Sequence, residues 1–331
     1  MTALAWPASK ATTECVSAGA DGIIRWWDAR ALVAGALDSL DLVVGGGLVR
    51  GLSSMAAAPM AAVSPALPPS ATALLCPAAG TARLLVGTAA GAVLPVARTA
   101  RPPAPRVGGA LASLAGPITG LAPAHPALAR AYLTAGEWAP KVWSEDARAP
   151  LAVPAEPVVV AGGGGRLRPR CTAARWSPTR PAIVYGGGDD GVVRAYDLRS
   201  RGGGGEPGGP PPPPWVCATG RAVVRGGVSA LAARGCGRLL AVGGDGDGGV
   251  ALVEVSAALA TPAHTERGEV AAFLYREAAR VRGAADRAAR AARAARAGAA
   301  GPAQPPPART GPTPAELAEY ENRFLVEAGL V

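Results

Sequence analysis

Through most of the first 260 residues, apolar side chains recur at every second position in short runs separated by small, turn-forming residues, the period-two pattern of half-buried strands. Glu14 to Arg30 (ECVSAGADGIIRWWDAR) is the clearest case. An Asp21-Gly22 turn leads into a strand that places Ile23, Arg25 and Trp27 on one face and Ile24 and Trp26 on the other. The two neighbouring tryptophans therefore cannot form one aromatic patch. From Glu266 the period becomes helical, with Val270, Phe273, Leu274 and Val281 on one face that could dock on the strands or on a neighbour.

The first run is repeated. Leu4 to Arg30 and Ala174 to Arg199 share a skeleton of Trp, Pro, an apolar run, small residues, Asp-Gly, alternating apolar positions and an aromatic-Asp-Arg ending. Ile118 to Asp146 is a third copy with Trp143 at the aromatic position, and Arg83 to Ala97 and Arg238 to Ser256 are weaker ones. The aligned positions Trp27, Val96, Trp143, Tyr196 and Glu254 lie about 45 to 70 residues apart, near or above the spacing of four-stranded propeller blades of the WD40 kind. The predicted fold is all-β, a WD40 β-propeller with about five blades over residues 1–260, followed by a helical extension. Insertions near 56–80, 99–110 and 202–214 account for the long gaps. The blade signature is Ser17, Asp21, Gly22, Trp27 and Asp28 in the first copy, Trp143 in the third, and Trp176, Asp190, Gly191, Tyr196 and Asp197 in the fourth. The indole N–H before the Asp needs an acceptor when buried, and Ser17 and Asp21 are placed to help supply one. Five blades leave an open arc with unpaired edges, an association liability.

Composition fits turn-rich β-structure, with 45 glycines and 33 prolines in 331 residues. The formal charge of +9 is carried almost wholly by arginine, since Lys10 and Lys141 are the only lysines, which is read as coding bias rather than as a nucleic-acid function. Five scattered cysteines without a C-x-x-C pair suit a reducing compartment and argue against a zinc site. With no signal-peptide core and proline breaks in the Ala-rich run 56–79, the expectation is a soluble intracellular protein without a membrane role.

Little points to catalysis. The only histidines, His125 and His264, lie near prolines, and there is no G-x-S-x-G and no carboxylate cluster, so no catalytic, cofactor or metal residue is assigned. The glycine clusters lack Gly-Lys-Ser/Thr and read as turns. Asp245-Gly-Asp247 opens like a calcium loop, but Ser256 stands where the bidentate Glu would be. Trp138 occupies a turn where other copies carry Asp-Gly; it either folds onto its own blade or meets a partner. Lys141, Arg25 and Arg194 are read as solvated charge or as contacts to an acidic partner.

These residues also carry a specific resemblance. Thr13 to Asp28, the run Gly136-x-Trp138-x-x-Lys141-Val142-Trp143-Ser144-Glu145-Asp146, Trp176-Ser177-Pro178-x-x-Pro181, and Leu252 to Ser256 followed by Glu266, Phe273 and Arg276-Glu277 resemble in order the C-terminal half of axonemal dynein intermediate chains, outer-arm chain 2 above all. The resemblance implies a non-catalytic scaffold in the cytoskeleton of the ciliary or flagellar axoneme. It also implies dynein heavy chain, other intermediate and light chains, and the doublet microtubule through docking factors as partners. That family has seven blades and an N-terminal light-chain segment, so the five blades read as an N-terminally truncated member. A WD-repeat adaptor of another complex, cytoplasmic dynein or a nuclear assembly, is the alternative.

The remaining chain divides into an Ala/Arg-rich helix at 266–298, a Pro-rich linker at 299–312 and a short amphipathic helix at 313–331. In the last, Thr313 and Glu316 make a capping box, and Leu317, Tyr320, Phe324 and Leu325 share a face that either docks in a partner's groove or packs back on its own propeller.

Overall fold

The computed structural model describes residues 2–6, 13–31, 35–42, 70–76, 83–98, 106–128, 130–153, 159–160, 166–201, 214–218 and 222–299. Five antiparallel sheets, each formed by consecutive strands, correspond to the five repeats. Blade 1 is β1 (Ala3–Ala5), β2 (Glu14–Ala18), β3 (Ile23–Asp28) and β4 (Asp38–Asp41). Blade 2 is β5 (Ala71–Leu75), β6 (Arg83–Thr88), β7 (Ala92–Ala97) and β8 (Ala112–Ser113). Blade 3 is β9 (Gly120–Pro123), β10 (Ala131–Ala135) and β11 (Lys141–Ser144), with an isolated Val142–Ala152 bridge at its fourth position. After a ribbon of β12 (Val159–Val160) and β13 (Arg166–Leu167), blade 4 is β14 (Cys171–Trp176), β15 (Ile183–Gly188), β16 (Val193–Arg201) and β17 (Pro214–Ala218). Blade 5 is β18 (Val228–Ala233), β19 (Leu239–Gly244) and β20 (Val250–Glu254). Two regions read as insertions belong partly to blade 2: residues 71–75 form β5, and β8 follows a Val96–Val107 bridge.

Strand register shows how the blades pack. In successive blades the third strand pairs Cys15 with Trp27, Leu84 with Val96, Tyr132 with Trp143, Val184 with Tyr196 and Leu240 with Val253. Each of these third-strand residues after the first turns toward the preceding blade: Val96 joins the blade 1 core, Trp143 that of blade 2 and Val253 that of blade 4, while the Tyr196 ring lies by Gly186 and Pro140 of the blade 3 turn. Their neighbours turn the other way, so Trp26 packs against blade 2, Val142 against blade 4 and Ala195 against blade 5. The aligned position in the last blade is thus Val253, with Glu254 at the Asp position. Assigning it to Glu254 was a one-residue slip, which in a strand exchanges the two faces.

A second repeat is written in hydroxyls at the head of the inner strands. Thr2, Thr72, Thr119 and Thr172 donate to main-chain carbonyls of the next blade: Thr2 to Ala71 at 2.5 Å, Thr72 to Ile118 at 2.6 Å, Thr119 to Cys171 at the long limit of 3.5 Å, and Thr172 to Val228. Between blades 1 and 2, Arg106 pairs with Asp38 at 2.6 Å and stacks over Trp26 at 5.6 Å, and Arg98 pairs with Glu14.

After the one-turn α1 (Ala257–Ala260), helix α2 (Glu266–Ala299) begins, and the chain divides into two compact units at Arg282 and Gly283. Within the first unit, Val270, Leu274 and Val281 are buried in one core with Leu133 and Val142 of blade 3 and Trp176 and Val184 of blade 4. The apolar face read from sequence is therefore satisfied on its own blades. Glu266, fully buried, fixes the start of the helix: it accepts bonds from Arg180 Nε at 2.9 Å and from the main-chain N–H of Ala182 at 3.0 Å and Ala263 at 3.1 Å. Arg180 in turn lies 3.6 Å from Asp197. A buried pair held by this many bonds is costly to break, because removing one partner strands the other charge. In the second unit the helix continues from Gly283 to Ala299 with Arg287, Arg290 and Arg293 exposed. The linker and amphipathic segment read at 299–312 and 313–331, with Phe324 and Leu325, lie outside the described residues apart from Ala299.

Candidate functional site

The turns between second and third strands carry a repeated set of polar contacts. In blades 1 and 4 each opens with an Asp whose carboxylate caps the main-chain N–H two residues on, Asp21 to Ile23 at 3.1 Å and Asp190 to Val192 at 3.2 Å. The next residue is a left-handed glycine, Gly22 at φ 74° and Gly191 at φ 72°. A Cβ on Gly191 would lie 2.7 Å from the Gly226 and Val224 carbonyls, so only glycine fits. Four residues after the acid comes its cation: Asp21 pairs with Arg25 at 3.0 Å, Asp190 with Arg194 at 2.5 Å, and Glu137 with Lys141.

Arg25, Lys141 and Arg194 are thus tied to their own turns. Arg194 is also buried, at 5% exposure, which corrects its reading as a solvated strand charge. The bond from the Ile23 N–H and the Arg25 guanidinium hold the Asp21 carboxyl below its usual range. Burial pushes Asp190 upward, but the hydrogen bond and charge of Arg194 outweigh it and the net shift is downward.

The aromatic positions are satisfied internally. Trp27 Nε1 donates to Ser17 Oγ at 2.8 Å and Trp143 Nε1 to Thr134 Oγ1 at 2.9 Å, two uses of one cross-strand geometry. Asp21 takes no part, since its oxygens are committed to Ile23 and Arg25. Trp176 Nε1 donates to the Pro181 carbonyl at 2.8 Å, which closes the Pro178-x-x-Pro181 turn. Asp28 accepts from Arg30 Nε at 3.2 Å and Thr13 Oγ1 at 3.0 Å, and Arg30 holds its carboxyl down at about 2. Asp197 binds Arg199 Nη2 at 3.0 Å in the same way.

Trp138 differs from Trp143 and Trp176, which are buried. It is 36% exposed, and it lines one small crevice together with Pro169, Arg170 and Gly186 to Gly188 of the blade 4 side. Its turn is held from three sides: the Glu137 carbonyl accepts from Cys171 N–H at 2.5 Å, the Glu137 carboxylate accepts from Ala115 N–H at 2.8 Å, and Lys141 closes the pair. A fixed, partly open indole across a blade seam is suited to a protein contact, because its position is set in advance. The surroundings leave no cavity for a small ligand.

Sequence reasoning missed the Thr ladder and the Arg180–Glu266 pair. A hydroxyl residue heading each inner strand was the available signal for the first. Among the described residues there is no cluster of three or more His, Cys, Asp or Glu that could hold a metal ion, Cys15, Cys76, Cys171 and Cys236 are free thiols, and no helix is long and apolar enough to cross a membrane. The Asp245 and Asp247 carboxylates accept from the main-chain N–H of Gly227 at 2.6 Å and Gly249 at 2.9 Å, so both serve turns.

Comparison with known proteins agrees with this geometry. The chain is 25% identical over 286 residues to the flagellar outer-arm dynein 70 kDa intermediate chain of Chlamydomonas reinhardtii, covering 83% of this chain and 42% of that protein. It is 27% identical over 275 residues to dynein axonemal intermediate chain 2 of Rattus norvegicus, covering 83% and 38%. It is 25% identical over 275 residues to ciliary dynein intermediate chain 3 of Heliocidaris crassispina, covering 83% and 40%. The matched region spans about two fifths of the length of these relatives. No family model matches the chain. Among solved structures, the RRP9 WD40 repeats align with a TM-score of 0.51 at 12% identity, and U3-55K with 0.50 at 13%, each over 77% of this chain and 67% of the other. At such identities the likeness speaks to the WD40 propeller fold alone.

Proposed function

We propose that this homologue of axonemal dynein intermediate chains is a non-catalytic WD-repeat scaffold of the outer dynein arm. In this reading it contacts the dynein heavy chain and helps hold the arm on the doublet microtubule of cilia or flagella, beside other intermediate and light chains and docking factors. The observation that carries the reading is its similarity over 83% of the chain to curated axonemal intermediate chains. The chemistry of the surface is compatible: the blade-signature carboxylates are committed to internal turns and ion pairs, which leaves surfaces for contact rather than groups for catalysis.

Within this reading the Trp138 turn is the candidate contact, because it offers an aromatic anchor on a rigid support. The test is recovery of dynein heavy chain with the tagged chain from axonemal salt extract. Wild type is expected to retain heavy chain, and Trp138→Ala to retain several-fold less at unchanged melting temperature. Equal recovery with Trp138→Ala would remove Trp138 from the interface, and no recovery with wild type would remove the reading itself.

A further inference from the structure

His125 lies in the loop between β9 and β10 of blade 3, and both of its ring nitrogens are engaged. Nδ1 accepts from the main-chain N–H of Ala127 at 3.1 Å, so this nitrogen carries no proton. The single proton of the neutral ring is therefore on Nε2, which donates to the Pro178 carbonyl at 3.1 Å. The hydrogen-bond network thus assigns one tautomer of the neutral imidazole. An imidazolium would set Nδ1–H against the Ala127 N–H, donor against donor.

The two bonds act on different elements. The Ala127 bond, with the Leu128 N–H donating to the His125 carbonyl at 2.7 Å, shapes the blade 3 loop. Leu128 is buried in the same core as Val270 and Leu274 of α2. Pro178 belongs to the β14–β15 turn of blade 4, and that turn holds the start of the helical segment. Thr179 Oγ1 donates to the Ala260 carbonyl of α1 at 2.6 Å, and Arg180 Nε and the Ala182 N–H both donate to Glu266 of α2. His125 therefore ties the loop that packs against α2 to the turn that anchors it.

We propose that His125 is a proton-operated latch: neutral, it joins the blade 3 loop to the blade 4 turn, and protonation of Nδ1 releases that loop and loosens the first turns of α2. The charged groups around it pull both ways. From α2, Glu266 favours the imidazolium and Arg267 opposes it. The blade 4 turn carries Arg180, committed to Glu266 and 3.6 Å from Asp197, and the loop itself carries Arg130, paired with Asp146 at 3.0 Å. Burial of the ring is the largest influence and, against the Pro178 bond and Glu266, holds the His125 pKa below its ordinary value. The closed latch takes up a proton less readily than the open one. Closure is therefore favoured in full above the ordinary histidine pKa of about 6.5, and that advantage is lost as pH falls from there through the lowered value. This inference concerns the chain by itself and does not depend on the dynein reading.

The test is hydrogen exchange of the full chain, corrected for the intrinsic pH dependence of amide exchange. It is read from about pH 7.5 to about pH 5.5, around the ordinary histidine pKa and above the carboxylate range. Residues 122–128 and 267–274 are expected to exchange several-fold faster at the lower pH, relative to β2 and β3. His125→Asn keeps an acceptor for the Ala127 N–H but cannot titrate, and is expected to flatten that dependence. His264→Asn, at the exposed histidine ahead of α2, is expected to leave it as in wild type. Ring-nitrogen NMR of wild type reads the latch without any substitution: the neutral ring is expected to carry its proton on Nε2 and to gain the second on Nδ1 only below about pH 6.5. A neutral ring protonated on Nδ1, or wild-type exchange without local acceleration, would overturn the proposal. The same acceleration in His125→Asn, or its loss in His264→Asn, would overturn it equally.

Discussion

Trp138 and Trp143 lie five residues apart on one hairpin and serve opposite ends. Trp143 is 1% exposed, packed between blades 2 and 3 with its N–H on Thr134, while Trp138 is 36% exposed. Replacing Trp143 with Ala leaves a large cavity and is expected to cost about 3 to 5 kcal/mol. Trp138→Ala is expected to change stability by less than about 1 kcal/mol. Urea titration of the two variants checks this, and equal losses would contradict the placement.

The thiols separate in the same manner. Burial raises Cys171 to about 12 and Cys76 to about 11, so neither forms thiolate at neutral pH, whereas Cys236 is exposed. A maleimide probe followed by peptide mapping is expected to label Cys236 first and Cys171 only on unfolding. At this scale the aromatic-Asp positions and Asp-Gly turns were legible because Trp, Gly and Asp are distinctive. Threonine was not, since Thr2, Thr72, Thr119 and Thr172 look like any strand threonine until the next blade's carbonyl is in place.

At the scale of elements, the hairpins and the helix each show what pattern can and cannot specify. Trp27-Asp28 and Tyr196-Asp197 anchor their strands unambiguously, but Val253-Glu254 carries no aromatic, and a run of Val and Leu aligns equally well one residue either way. Only pairing of Leu240 with Val253 settles which face is inward. Strand β5 lay unseen inside low-complexity Ala/Pro sequence for the same reason, since ATALL has too little contrast to register as a strand.

The apolar stripe of α2 was legible, yet its anchor was not, because Glu266 and Arg180 are 86 residues apart. Glu266→Ala leaves Arg180 buried with only part of its partners and is expected to cost about 3 to 5 kcal/mol. Hydrogen exchange at residues 270–281 is expected to accelerate in that variant ahead of the blade strands. Protection unchanged there would show that the apolar face alone holds the helix.

The blade 1 hairpin has its own signature in acid. The folded pKa values of Asp21 and Asp28 are depressed, Asp28 to about 2, so their contribution is complete above the ordinary carboxylate pKa of about 4 and is lost as pH falls from there toward 2. Asp28→Asn is expected to flatten the fall in melting temperature over that window and to leave the neutral-pH slope unchanged. An acid limb as steep as wild type would contradict the assignment.

At the scale of the whole molecule, repeat spacing made the propeller class legible, and the order of the motifs supplied the link to axonemal dynein intermediate chains. The packing of the first helical turns onto blades 3 and 4 required three dimensions. What the blades hold together in the cell is the central claim, and it is tested most directly on native material. Axonemes are extracted with high salt, the extract is resolved by velocity sedimentation, and this chain and the dynein heavy chains are quantified across the gradient. The account predicts that the chain sediments with outer-arm heavy chain as one peak. A chain recovered intact but only in fractions free of heavy chain would contradict it.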